Sequence, residues 1–241
     1  IGGTIQMDVG TAQTPTPINS FTFNPGGSLI VQTGKGLSVS GDFVSLSASL
    51  ADLYNLTVES LAKLDVDGDL NCVNAVVEEG LVGDFTDVAV LGMVVSGNWS
   101  IARFALLATA GGIDVSGLPG NTWTIDGTIF TWGSIVGAGA WTLGDSDGIN
   151  VPIVHVIDSS MQVNELVVGT GANVLIGLIG VNTLEIGQTL FIDGGLVETE
   201  RANIVADPGS LITLINGGLL TISQTAPPQF PSEVASLQYG D

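Results

Sequence analysis

The amino-acid sequence predicts an all-β fold, a single right-handed parallel β-helix in which short strands coil about one long axis. Three observations favour this fold. The segment from Met161 to Ile222 consists of short runs of Val, Ile and Leu that stop at Gly, Asn or Asp and then begin again. Its glycines at 171, 180, 187 and 194 are 9, 7 and 7 residues apart, an interval that suits one strand and one turn. The chain contains 34 glycines in all, as expected where turns are frequent.

A loose repeat of the form apolar–x–apolar–x–Gly runs through the chain from Phe21 onward. It occurs as LSVSG, LDVDG, MVVSG, IDVSG and WTIDG, which end at glycines 41, 68, 97, 117 and 127. Repeats of about 20–30 residues are typical of solenoids, and three units of strand and turn would fill one coil. At ~4.8 Å between strands, we expect about nine coils and a length of roughly 40–45 Å. An antiparallel β-sandwich with a donated N-terminal strand is the alternative fold.

Residues 1–20 are predicted to be an N-terminal strand followed by a Thr/Pro spacer. Ile5, Met7 and Val9 alternate with polar residues and would lie on one face of the strand. The prolines that follow keep the spacer extended. Two fates fit this pattern: the strand folds back on its own domain, or it pairs with a neighbouring copy of the chain. In the second case these three side chains form an assembly contact.

Residues 21–222 are predicted to form the solenoid, and residues 223–241, which contain three prolines, a tail or linker. Two segments, Ser49–Lys63 and Trp99–Ala110, also fit a helical face, and a short helix is the alternative in each. Between Asn55 and Gly80 the alternation predicts a set of inward-facing residues. This set is Leu56, Val58, Leu61, Leu64, Val66, Leu70, Val73 and Val76.

The charge balance excludes several classes of partner. Lys and Arg total four against 24 acidic residues, which gives a formal net charge of −20. Nucleic acid is excluded because its binding depends on basic side chains that neutralise phosphates.

The charge-free run Leu166–Leu184 is interrupted by glycines and asparagines and has no basic flanks, so we expect no membrane insertion. A single cysteine, Cys72, rules out an intrachain disulfide.

No cofactor is required by the sequence, but Ca²⁺ is a possible ligand, and two acidic segments are candidate sites for it. Asp65, Asp67 and Asp69 alternate in DVDGD, and Asp145 and Asp147 alternate in GDSDG. In one extended strand the first three carboxylates would share a face, with side chains ~7 Å apart. Neither segment has the spacing of an EF-hand loop. Solvated acids in turns are the alternative interpretation.

Five further residues are candidates for glycan contact or glycosylation. Trp123, Trp132 and Trp141 recur at nine-residue intervals and are candidate stacking residues for a glycan, with packing in the core as the alternative. Asn55 in NLT and Asn98 in NWS are N-glycosylation sequons.

No catalytic residue set is predicted. His155 is the only histidine and lies in the strand-like run VPIVHVID. The sequence also lacks the motif of a nucleophile elbow. Polysaccharide-cleaving enzymes need clustered acids and a basic residue near an acidic sugar, and basic residues are scarce here. We therefore expect a protein that is not an enzyme.

The runs NLTVESLAKLDVDGDLN at 55–71 and NTLEIGQTLFIDGG at 182–195 resemble the coils of secreted parallel β-helix surface proteins, especially filamentous-haemagglutinin-type adhesins and autotransporter passengers. The resemblance is one of pattern and covers roughly residues 21–222. It implies an extracellular or cell-surface location. The chain begins at Ile1 rather than Met, so we expect that a signal peptide has been removed.

The expected function is that of a structural subunit of an extracellular filament or surface layer, which self-assembles head to tail with copies of itself as partners. The alternative is an adhesin module that binds a glycan or another cell-surface partner.

Overall fold

The computed structural model describes residues 4–7, 16–18, 27–39, 44–46, 48–81, 85–115, 122–137, 139–144, 152–157, 159–177, 182–200, 202–223 and 236–239. Each regular element among them is a β-strand, and each pairing between these strands is parallel. The strands are β1 (Thr4–Met7), β2 (Thr16–Ile18), β3 (Gly27–Val39), β4 (Val44–Leu46), β5 (Ala48–Val58), β6 (Lys63–Val77), β7 (Thr86–Val95), β8 (Trp99–Ile101), β9 (Ala105–Thr109), β10 (Ile113–Val115), β11 (Thr122–Ile125), β12 (Thr128–Thr131), β13 (Ile135–Gly137), β14 (Ala140–Leu143), β15 (Ile153–Val156), β16 (Met161–Val168), β17 (Asn173–Ile176), β18 (Asn182–Asp193), β19 (Leu196–Glu200), β20 (Ala202–Ala206), β21 (Leu211–Ile215), β22 (Leu219–Ser223) and β23 (Ser236–Tyr239).

The strands stack on three faces, which the chain visits in the same order in successive coils. Face 1 contains β1, β10, β13 and β20. Face 2 contains β2, β8, β11, β14, β21 and β23. Face 3 contains β4, β9, β12, β15, β17, β19 and β22. The longer strands β3, β5, β6, β7, β16 and β18 bend round corners and contribute to two or three faces each.

One row of paired residues on face 1 shows how many coils the stack contains. Seven turns separate Asp52 from Val205, and two more steps lead from Asp52 back to Gln6. The total number of steps is close to the nine coils expected. Nine steps at ~4.8 Å correspond to a stack about 43 Å long. The row contains Gln6, Ile30, Asp52, Asn71, Val94, Asp114, Val136, Gln162, Glu185 and Val205. The predicted β-helix is therefore confirmed, and the antiparallel sandwich is wrong, because the described pairings are parallel.

Aliphatic side chains stacked on their like fill the interior. Full burial of each is worth about 1.5–3 kcal/mol relative to exposure. On face 1 the inward row contains Leu70, Met93, Ile113, Ile135, Met161, Leu184 and Ile204. On face 3 it contains Leu64, Val88, Leu107, Ile129, Val154, Val174 and Val197.

Both segments with a helical alternative are extended, and corners explain their helix-like spacing. Leu53 and Leu56 are both buried although three residues apart, because the chain turns from face 1 to face 2 between them.

Three residues of the predicted inward set are not in the core. Leu61 and Val73 are half-buried, and the same bend, one coil later, places Val76 on the outside. Val76 is 42% exposed and Ala75 takes the inward position, since the corner shifts the alternation by one residue.

Strand pairing extends beyond residues 21–222 at both ends. β1 pairs with residues 28–31 and β2 with residues 37–39 of the same chain. β23 pairs with residues 211–214. The described parts of the predicted spacer and tail thus belong to the stack.

Candidate functional site

The N-terminal strand takes the first of its two predicted fates. In β1, Ile5 lies opposite Leu29 and Met7 opposite Val31 of the same chain. Val9 lies outside the described residues. The strand therefore pairs within its own chain, and among the described strands β3 is its one partner.

The two ends of face 2 are the candidate assembly interface. Among the described strands, β2 pairs with β3 alone and β23 with β21 alone. A strand paired on one side leaves a row of backbone N–H and C=O groups that another strand can meet. One register row joins the two ends: Pro17, Ser38, Thr57, Val76, Ser100, Thr124, Thr142, Val167, Phe191, Thr213 and Gln238.

The tryptophans divide between the interior and the surface. Trp99, Trp123 and Trp141 are successive partners on face 2 and are 3%, 1% and 0% exposed. The Trp99 and Trp123 ring centroids are 4.8 Å apart with an interplanar angle of 88°. Trp132 is instead 54% exposed, just after β12. The three predicted glycan-stacking residues therefore do not share one surface. Trp123 and Trp141 pack in the core, which is the alternative interpretation.

Trp132 lies at the corner between face 3 and face 1, with a depression on each side. We call this region, residues 91–92, 110–112 and 132–134, the Trp132 corner. The depression on face 3 has a volume of about 310 Å³ and is lined by Asp65, Ala89, Leu91, Ala108 and Trp132, among others. The depression on face 1 has a volume of about 390 Å³, and its polar lining residues are Asp69, Asn71, Asp114 and Ser134.

Buried threonines and close-packed glycines fix the shape of the Trp132 corner. The Thr131 hydroxyl donates to the Gly133 carbonyl over 2.9 Å. The Thr109 hydroxyl accepts from the Gly112 N–H at 3.0 Å. A Cβ added to Gly133 would lie 2.2 Å from the Gly111 carbonyl carbon, so only glycine allows the two coils to approach this closely.

The expected calcium-binding face does not form in DVDGD. Asp65 lies on face 3 and Asp69 on face 1, because β6 turns the corner between them and its register with β7 shifts there. The Asp67 side chain and both Asp145 and Asp147 lie outside the description. Within the described residues, no group of three or more His, Cys, Asp or Glu side chains is placed to hold a metal ion.

The two sequon asparagines belong to a ladder at the corner between face 1 and face 2. The Asn74 side-chain amide donates to Asn55 Oδ1 at 3.0 Å. The Asn98 backbone N–H donates to Asn74 Oδ1 at 3.0 Å, and the Thr122 backbone N–H donates to Asn98 Oδ1 at 3.1 Å. Each rung thus satisfies a polar group of the next, so Asn55 and Asn98 have a structural role. Their glycosylation stays a prediction.

His155 lies on the outer surface of face 3, beside a cavity of about 100 Å³ that Glu198 and Glu200 also line. Burial lowers the pKa of His155 below the ordinary value of 6.5, and the Glu200 carboxylate opposes this by raising it. Among the described residues, no hydroxyl or thiol side chain lines the cavity. The described lining offers an imidazole and two carboxylates.

Sequence reasoning missed Trp99 as the third member of the buried stack and Asn74 as the centre of the ladder. The signal for both is the coil length. Trp99 and Trp123 are 24 residues apart, and Asn74 and Asn98 are also 24 residues apart, which is one coil. Spacings of nine residues cross a corner instead, and so separate Trp132 from its neighbours.

No protein-family model matches the chain, and neither the curated proteins nor the solved structures include a significant match. Among the described residues, no helix is both long enough and apolar enough to span a membrane.

Proposed function

We propose that this chain is a non-enzymatic structural subunit of an extracellular filament or surface layer, whose copies join head to tail through β-strand contacts. One observation carries the proposal: β2 and β23 end the same face, run in the same direction, and each have one described partner strand. The β23 strand of one copy can therefore pair in parallel with β2 of the next and continue the face.

The expected assembly is a filament rather than a closed dimer. A head-to-tail contact uses two different surfaces, and such contacts propagate unless a rotation closes the ring. Main-chain hydrogen bonds would supply affinity, as they do when a peptide adds a strand to a sheet edge. The net charge of −20 would keep neighbouring filaments apart by repulsion.

Composition supports the non-enzymatic and extracellular parts of the proposal. The chain has one histidine, one cysteine and four basic residues, so few side chains suit acid–base or nucleophilic catalysis. Only 12% of the residues are charged, and the surface depends on small polar residues, as in the secreted β-helix proteins that the pattern resembles.

A disulfide ladder tests the head-to-tail contact. Pro17 and Gln238 lie ten steps apart in one row, ~48 Å at the spacing of paired strands, far beyond the Cα separation of a disulfide. With Cys72→Ala as background, Pro17→Cys combined with Gln238→Cys should give a ladder of dimers, trimers and larger species on a non-reducing gel. Negative-stain images of the wild-type chain should show filaments.

A mismatched pair is the control. Pro17→Cys with Thr221→Cys places the second cysteine on face 3, in β22, and should give no ladder. Equal ladders from both pairs would overturn the contact between the two ends of face 2. A wild-type chain that sediments as a monomer at high concentration, with no ladder from the matched pair, would overturn the filament itself.

A further inference from the structure

We propose that the Trp132 corner binds an uncharged glycan, with the Trp132 ring as its stacking platform. The site goes beyond the assembly function and does not depend on it. Trp132 lies between the coils of Asp114 and Gln162, in the body of the stack, whereas assembly would use the end strands.

Trp132 differs from the other tryptophans in its exposure. The other three tryptophans are at most 3% exposed, while Trp132 is 54% exposed and Leu91, on the same corner, is 50% exposed. An indole ring combines a large apolar face with a polar N–H, a combination suited to partly hydrated contacts. The C–H face of a pyranose ring matches such an apolar face.

Small side chains make room for the sugar beside the ring. On the outside of face 3, Ala89 and Ala108 are register partners, and Phe130 follows them in the next coil. The two alanines leave the depression of about 310 Å³ that Trp132 borders. A volume of this size lies in the range of small-molecule sites.

Hydrogen-bonding groups for hydroxyls line the other side of the corner. Asp69 and Asp114 supply carboxylate acceptors, Asn71 an amide that donates and accepts, and Ser134 a hydroxyl that does both. Gly92, Gly111 and Gly112 line this depression where it adjoins the corner, and they carry no side chain that could narrow it. A glycan of more than one sugar can therefore lie across the corner and use both sides.

The corner is preorganised, which lowers the ordering cost of binding. The hydrogen bond from Thr131 to Gly133 spans Trp132, and the one between Thr109 and Gly112 holds the equivalent turn of the preceding coil. The closely approaching glycine backbones of neighbouring coils restrict its movement further.

Charge selects an uncharged ligand. Among the described residues, no Lys or Arg lines either depression, and Asp65, Asp69 and Asp114 would repel uronates and sulfated sugars. A basic peptide would be attracted instead. However, Asp65 and Asp114 already interact within the chain, which favours a ligand that needs acceptors rather than free charges.

Titration with defined oligosaccharides tests the site. Cellohexaose, chitohexaose and maltohexaose are the uncharged probes, and hexagalacturonate and hexalysine are the charged ones. At least one uncharged probe should bind and change tryptophan emission, because Trp132 is the most exposed indole. Trp132→Ala should weaken that binding at least tenfold, and Trp132→Phe less. Asp69→Asn combined with Ser134→Ala should weaken it independently of the ring.

Leu219→Ala is the matched control, because Leu219 is 55% exposed but lies in β22, away from the corner. It should bind as the wild type does, and Trp132→Ala should keep the wild-type circular dichroism spectrum and cysteine ladder. Absence of binding by all three uncharged probes at millimolar concentration would overturn the proposal. Preferential binding of hexalysine, or unchanged affinity in Trp132→Ala, would do the same.

Discussion

Trp123 and Trp141 are stacked in the interior with ring centroids 4.6 Å apart and an interplanar angle of 26°. They are direct register partners on face 2, although eighteen residues separate them along the chain. Their indole N–H groups, and that of Trp99, are buried without a hydrogen-bond partner in the described structure. The stack therefore gains its stability from apolar contact and ring geometry, against the cost of burying three donors.

Truncation of the stack should be strongly destabilising. Trp123→Ala removes a ring that is 1% exposed between two others, and we expect the free energy of unfolding to fall by about 3–5 kcal/mol. Trp123→Phe should cost less than Trp123→Ala, since a ring remains and one unpartnered donor is removed. Denaturant melts of both variants measure this. Equal losses would show that ring packing has little part in the stack.

The glycine contact at the Trp132 corner makes a second prediction. A Cβ on Gly133 would meet the Gly111 backbone at 2.2 Å, so Gly133→Ala should lower the free energy of unfolding by roughly 1–3 kcal/mol. Gly169→Ala is the matched control, because its Cβ would lie 3.1 Å from the nearest atom, the Leu143 carbonyl oxygen. Thermal melts should rank Gly133→Ala as clearly the less stable. The reverse order would contradict the close approach of the coils.

The asparagine ladder leads to a third prediction about stability. Asn74 accepts one hydrogen bond and donates another, so Asn74→Ala should cost about 1–3 kcal/mol at ~1 kcal/mol per bond. Thr124→Ala, on the exposed side of β11, should change stability by less than 0.5 kcal/mol, the usual limit for surface substitutions. Urea denaturation compares the two. A neutral Asn74→Ala would mean that water replaces the ladder without loss.

The single histidine allows a direct test of the pKa. Proton NMR should show one imidazole titrating below 6.5, because burial disfavours the charged form of His155. Glu200→Gln should lower this pKa further, since the carboxylate raises it. A value at or above 6.5, or an upward shift in Glu200→Gln, would contradict the placement of His155.

The sign of the pH effect on stability follows from the same shift. The unfolded chain binds the proton more readily, so the free energy of unfolding that His155 contributes is fully present above about pH 6.5. It is lost as the pH falls through the folded pKa. The measured quantity is the difference in the free energy of unfolding between the wild type and His155→Gln as a function of pH.

The fold could be predicted from the sequence because strand-length runs and glycine spacing persist through the chain. The corners could not, since the coils contain 18 to 26 residues and each bend shifts the alternation. For this reason the alternation wrongly predicts that Val76 lies in the core and that the acids of DVDGD share one face. Trp132 could be singled out as a candidate, but its separation from Trp123 and Trp141 depends on which intervals complete a whole coil.

Because each described strand pairs with strands of the neighbouring coils, the length of the stack is set by the number of coils. Removing residues 114–135 would join Ile113 to Val136, two positions whose neighbours already match in register. Trp141 would then meet Trp99 directly, and the body would shorten by one step of ~4.8 Å. Insertions and losses of whole coils would thus change the reach of the protein while leaving its cross-section and both ends the same.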